Sequence, residues 1–163
     1  MIKKLPKSVT SEEFPLLIKV TEKKIYKVAF FLAYGSGLRL SEVLAVKPEN
    51  IVDNRIEVLD GKGGKDRIVP IPKGWKQWMT EILPIKKTGR SLERNFISSA
   101  KLAKLNPLYS FHSLRHGFAV RLIESGVPLN HVQSLMGHSN LATTSIYTKA
   151  RPVDALKSYE EFF

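Results

Sequence analysis

Six side chains in this sequence are of the types that could together transfer a phosphate group: Arg39, Lys62, His112, Arg115, His138 and Tyr147. Arg39 follows Gly37-Leu38 and precedes Ser41-Glu42, so a planar guanidinium fork stands on a glycine-flanked turn, where it can grip two phosphate oxygens at once. Lys62 lies in Gly61-Lys62-Gly63-Gly64-Lys65, a glycine-rich tip that presents a second lysine, Lys65. His112 and Arg115 are three apart at the start of an expected helix, hence on one face, and a helix N-terminus favours an anion. Each has a plain structural reading when taken singly: a salt-bridged arginine, a solvated lysine, a polar cap at His138 after Gly137, a half-buried core tyrosine at Tyr147. Together, on a basic chain, they are the parts needed for metal-free phosphodiester transfer to a tyrosine.

Other chemistries are excluded by what the sequence lacks. Gly61 to Lys65 invites a phosphate-loop reading, but that pattern needs a glycine where Leu59 stands and Ser or Thr where Asp66 stands. His112 and His116 are spaced as a metal half-site, yet Ser113 occupies the position of the zincin glutamate, so no metal and no cofactor is expected. His116 reads as a packed helix residue. With no cysteine, disulfides, thiolate catalysis and cysteine-ligated zinc are ruled out. A net charge of +11 on 163 residues, with 43% hydrophobic residues, points to a folded chain whose partner is a polyanion. No apolar run approaches the length of a membrane span, so a cytoplasmic, nucleoid-associated protein with no membrane partner is expected.

The elements that must position these groups can be read from periodicity and caps. Thr10-Ser11-Glu12-Glu13 is a capping box opening a first helix, and Ile25, Val28, Ala29, Phe31 and Leu32 predict a second that stops at Gly35-Ser36-Gly37. Ser41 is expected to cap a helix over Glu42 to Val46, which places Arg39 in a short connection. Ile51-Val52, Ile56 to Leu59 and Arg67 to Val69 predict a small antiparallel three-stranded sheet whose second turn is the tip from Asp60 to Asp66. Trp75, Trp78, Met79 and Ile82 mark a helix, Ser91 is expected to cap another, and Ser110 a third that runs to Gly126. A further helix ends at Gly137. The tail from Pro152 to Phe163 carries Val153, Leu156, Tyr159 and Phe163 on one face, to be covered by its own domain or by a neighbouring copy.

In order and spacing, these pieces resemble the catalytic domain of the tyrosine recombinases, the family of phage integrases and Xer recombinases. The resemblance rests on Gly37 to Glu42, Gly61 to Arg67 with Val69-Pro70, His112-Ser113-Leu114-Arg115-His116, and Leu135 to Ser139 leading to Tyr147. Lys62 lies 23 positions after Arg39, His138 lies 23 after Arg115, and Tyr147 lies nine after His138. Such a resemblance implies an α+β fold, mainly helical with a small antiparallel sheet, over residues 1–163 as a single catalytic domain, without the family's amino-terminal core-binding domain. It implies Tyr147 as nucleophile, Arg39 and Arg115 as phosphate clamp, Lys62 as the hairpin lysine, and His112 and His138 completing the pocket. Lys65 and Arg67 are then expected to touch DNA.

The implied chemistry is cleavage and rejoining through a 3′-phosphotyrosyl bond, which stores the energy of the broken linkage and requires no ATP. The implied partners are a double-stranded DNA recombination site and further protomers on paired sites, a cyclic tetramer at synapsis. A type IB topoisomerase-like nicking and resealing enzyme, and an inert DNA-binding relative, are the alternatives.

Overall fold

In the computed structural model, which describes residues 7–59, 66–137 and 152–163, Thr10 and Glu13 form the capping box that their spacing predicts. The Thr10 N–H donates to Glu13 Oε2 at 2.9 Å and the Glu13 N–H to Thr10 Oγ1 at 3.3 Å, launching α1 (Glu13–Val20). The second helix, α2 (Lys24–Ser36), runs through the centre: Val28, Ala29, Phe30, Leu32 and Ala33 are all fully buried. It stops at Gly37, whose φ of 69° is left-handed and costs any other L-residue roughly 1–2 kcal/mol. A Cβ there would also lie 2.4 Å from Phe118, so glycine is required twice over.

The next helix, α3 (Leu40–Ala45), begins one residue before the expected cap. Arg39, not Ser41, is the extended residue at its start, and the Glu42 carboxylate accepts the Arg39 N–H at 2.8 Å. The three strands β1 (Ile51–Val52), β2 (Arg55–Val58) and β3 (Arg67–Pro70) then pair antiparallel in sequence order. Asp53 and Asn54, both at positive φ, make the two-residue turn between β1 and β2. In the second pair Ile56 faces Val69 and Val58 faces Arg67, so the pleat points all four toward the interior and leaves Glu57 outside. The tip that joins β2 to β3, with Lys62 and Lys65, lies outside the described residues.

Four helices follow: α4 (Gln77–Ile82), α5 (Gly89–Leu102), α6 (His112–Glu124) and α7 (Leu129–Met136). Trp75 precedes α4 rather than lying on it, and its indole donates to Thr80 Oγ1 at 2.9 Å. Ser91 is not the cap of α5: Thr88 is, its hydroxyl accepting the Ser91 N–H at 3.1 Å. At α6 the expected roles are exchanged, since the Ser113 hydroxyl accepts the Ser110 N–H at 2.9 Å. Gly137, at φ 68°, ends α7.

The tail forms α8 (Pro152–Phe162) and docks on its own chain, against α7 and β3. Tyr159 stacks between Phe118 and Phe163, His131 Nδ1 shares a hydrogen bond with Ser158 Oγ, and Lys73 Nζ lies 5.5 Å from the Phe163 ring. Ala155 and Tyr159 thus complete a cluster with Phe118, Leu122, Val132, Leu135 and Met136. A larger core lies among α1, α2, α3, α5 and the sheet. The fold is mainly helical with one small antiparallel sheet. Among the described residues no helix is long and apolar enough to cross a membrane.

Candidate active site

Arg39, His112 and Arg115, separated by up to 76 positions in sequence, converge where the start of α3, the start of α6 and the end of α7 meet. Arg39 is held by its place between α2 and α3, with 40% of its side chain exposed. Its Nη2 donates to the Gly137 carbonyl at 3.0 Å. Arg115, one turn into α6, is only 2% exposed. Its Nη1 donates to the Gly37 carbonyl at 2.7 Å and its Nη2 to the Met136 carbonyl at 2.6 Å. Burial, then the charges of Arg39 and Arg67, lower the Arg115 guanidinium to about 10, so it stays cationic at neutral pH.

His112 opens α6, reaches solvent, and lies edge-on to His116 with ring centroids 4.3 Å apart. Partial desolvation, then the charges of Arg115 and Arg39, push its imidazole below the ordinary value. It is therefore neutral at pH 7 and able to accept a proton.

Two residues that spacing does not single out as catalytic organise this cluster. Glu42 stands among three arginines: Arg39 Nη1 at 3.5 Å, Arg115 Nη1 at 3.7 Å and Arg67 Nη1 at 2.5 Å. Burial would raise the Glu42 carboxyl, but the hydrogen bond and charge of Arg67, with help from Arg39, outweigh it and hold the carboxyl below its ordinary value. One anion thus faces three cations, which leaves the site a surplus of positive charge for a phosphate.

Arg67 departs from the expectation of a DNA contact. It is 6% exposed, because the pleat of β3 turns it inward opposite Val58. Its Nη1 and Nη2 donate to the two Glu42 oxygens at 2.5 and 2.9 Å, and its Nε to the Leu135 carbonyl at 2.8 Å. The fork is fully engaged inside the protein.

Three consecutive carbonyls at the end of α7 therefore each receive one arginine: Leu135 from Arg67, Met136 from Arg115 and Gly137 from Arg39. A helix C-terminus carries partial negative charge and unsatisfied carbonyls, so cations belong there. Gly137 directly precedes His138 in the sequence. His138, Tyr147, Lys62 and Lys65 all lie outside the described residues. Among the described residues no group of three His, Asp or Glu side chains could hold a metal ion.

Gly137 is fixed by the same contacts: a Cβ at its φ of 68° would lie 2.8 Å from Arg67 Nη1. Gly137→Ala is expected to lower stability by about 2 kcal/mol, most of it the left-handed backbone cost. Thermal unfolding checks this, and an unchanged midpoint would contradict it.

Residues 7–153 match the model of the phage integrase family. The tyrosine recombinase XerA of Thermococcus kodakarensis is 36% identical over 181 residues, covering 96% of this chain and 62% of the relative. Among solved structures, the integrase from mycobacterium phage Brujita superposes with a TM-score of 0.72 at 25% identity, over 100% of this chain and 60% of that one. A lambda integrase tetramer bound to a Holliday junction has the same fold, with a TM-score of 0.63 at 21% identity, over 93% of this chain and 51% of that one. The chain thus spans about three fifths of the length of the XerA relative and of the Brujita integrase.

Proposed function

The chain belongs to the phage integrase family, and from that premise we propose that residues 1–163 are the catalytic domain of a site-specific DNA recombinase. The observation that carries this reading is the convergence of two arginines and a neutral histidine around a site with surplus positive charge. A phosphodiester repels nucleophiles through its own charge, so neutralisation must come first. Arg39 and Arg115 supply it by donating to the non-bridging oxygens, most strongly when charge accumulates in the pentacoordinate transition state. The Tyr147 oxygen attacks phosphorus, and the bond to the 5′-oxygen breaks. The phenol proton passes to His112, while Lys62 gives a proton to the departing 5′-oxygen. His138 orients the phosphate. Attack by a 5′-hydroxyl, with each proton returned, reseals the strand. Lys65 adds a contact to the DNA backbone.

The lambda integrase tetramer on a Holliday junction supports extending the same assembly to this chain. Its partners are then double-stranded DNA and further copies of a recombinase. No observation favours the topoisomerase reading over this one.

The test is covalent trapping on a nicked duplex in the presence of EDTA. An adduct that survives denaturation with the wild-type chain and vanishes in Tyr147→Phe supports the proposal. If the chain and a fusion to a DNA-clamping domain both form no adduct, the enzyme reading fails. The pH profile of adduct formation adds a second readout. Because the folded His112 imidazole lies below its ordinary value of 6.5, the fall in rate with falling pH should be centred below 6.5. A drop centred at or above 6.5 would remove His112 as the base.

A further inference from the structure

The geometry points to Arg67 as a positioning residue for the phosphate clamp: by occupying both oxygens of Glu42, it keeps that carboxylate from neutralising Arg39 and Arg115. This rests on the reading of those two arginines as the clamp, and it assigns Arg67 a part that neither its position in sequence nor the family match assigns.

The distances carry the inference. Glu42 meets Arg67 in a two-pronged pair at 2.5 and 2.9 Å, whereas its approaches to the guanidinium groups of Arg39 and Arg115 are longer, 3.5 and 3.7 Å, and from Arg39 it accepts only the backbone N–H. A carboxylate has two oxygens and one unit of charge, and a fork-to-fork pair engages both oxygens at once. Without the Arg67 fork, Glu42 sits within reach of two other guanidinium groups and would turn to them. The clamp would then lose donors and charge at the place where phosphate must bind. Lysine cannot stand in, because a single ammonium cannot hold both oxygens of Glu42 and also reach the Leu135 carbonyl as Nε does. The third bond matters too. It ties the root of the β2–β3 turn, which carries Lys62, to the end of α7, which leads into His138. Arg67 therefore holds the start of β3, the Glu42 carboxylate and the end of α7 in one register, and a misplacement of reacting groups by about 1 Å can cost about 100-fold in rate.

Arg67→Lys tests the inference through three measurements: covalent-complex formation at saturating nicked duplex, affinity for that duplex, and calorimetric binding of inorganic phosphate. Complex formation is expected to fall by about 100-fold, phosphate binding to weaken, and duplex affinity to stay close to wild type. Unchanged rate and unchanged phosphate binding would overturn the inference. So would weakened duplex binding with a full rate at saturation, which would make Arg67 a DNA contact. Phosphate binding needs neither DNA nor cleavage. A wild-type chain that forms no adduct would thus count against the proposed function, while the phosphate comparison still decides this inference. Glu42→Gln placed in the Arg67→Lys background removes the carboxylate that Arg67 restrains, so phosphate binding should recover above the single variant. A double variant that binds phosphate no better, or worse, would show a merely structural Arg67 and overturn the inference, and its folding is checked by circular dichroism.

Discussion

Arg115→Lys is expected to slow covalent-complex formation by about 1,000-fold, the upper range for losing a donor aimed at developing negative charge. The substitution keeps the charge and removes the fork. Arg115 already supplies Gly37 and Met136 with one hydrogen bond each from opposite sides of its guanidinium. A lysine can hold one of those carbonyls or reach a phosphate oxygen, and no single position of its ammonium does all three. The loss should therefore appear in the rate at saturation, with duplex affinity nearly unchanged, because a side chain only 2% exposed contributes little to groping contact with the DNA surface. Folding is also expected to weaken, since leaving a buried carbonyl without its donor costs about 1–3 kcal/mol. Single-turnover kinetics on nicked duplex, read beside thermal unfolding, separates the two effects. A full rate at saturation would contradict the placement of Arg115 on the phosphate.

Glu42→Ala carries the largest expected cost in stability, about 3–5 kcal/mol, the range for breaking a buried ion pair and leaving its partner uncompensated. Here three guanidinium groups lose their shared anion. The pH dependence has a definite sign. The folded Glu42 carboxyl lies below its ordinary value of 4.5, so its contribution is fully present above that value and is lost as pH falls through the folded one. The gap between wild type and Glu42→Ala should therefore be widest near neutrality and close in acid. Sulfate should stabilise the variant more than the wild type, because an anion can replace the missing carboxylate and binding to the folded state alone raises stability. Chemical denaturation across pH, with and without sulfate, gives all three comparisons. A gap that widens in acid would rule out this role for Glu42.

Much of the scaffold was legible because burial and turn chemistry leave local marks. The central helix announces itself in Val28, Ala29 and Leu32, and its end in Gly37, where no other residue fits the backbone or the space beside Phe118. The small sheet follows from Asp53-Asn54 and the β-branched runs on either side. Helix starts were less legible. Ser41, Ser91 and Ser110 each have the chemistry of a cap, but at α3 and α5 the residue that caps is the one whose backbone is extended at the entry, and tertiary packing chooses it. Arg39 and Thr88 took that place at α3 and α5.

Within the site, Arg39, His112 and Arg115 could be picked out because their types and spacing match a known motif. Glu42 and Arg67 could not be assigned from spacing, since their roles depend on a contact between α3 and β3 across 25 positions. The inward direction of Arg67 becomes readable only once β2 and β3 are in register: Val58 faces inward, and its partner must follow. A basic residue after a lysine-bearing turn looks like a DNA contact until that register is known. The three carbonyls of Leu135, Met136 and Gly137 leave no sequence signal, because every residue has one. The tail was legible as an amphipathic helix, but its choice of its own domain depends on Phe118, Tyr159 and Phe163 meeting in space.

Tyr147 is expected to carry the covalent bond to DNA, which mass spectrometry of the trapped complex reads after digestion with protease and nuclease. A single modified peptide containing Tyr147, carrying a nucleotide joined through its 3′-phosphate, is the expected result. An adduct on another residue, or one joined through a 5′-phosphate, would contradict it.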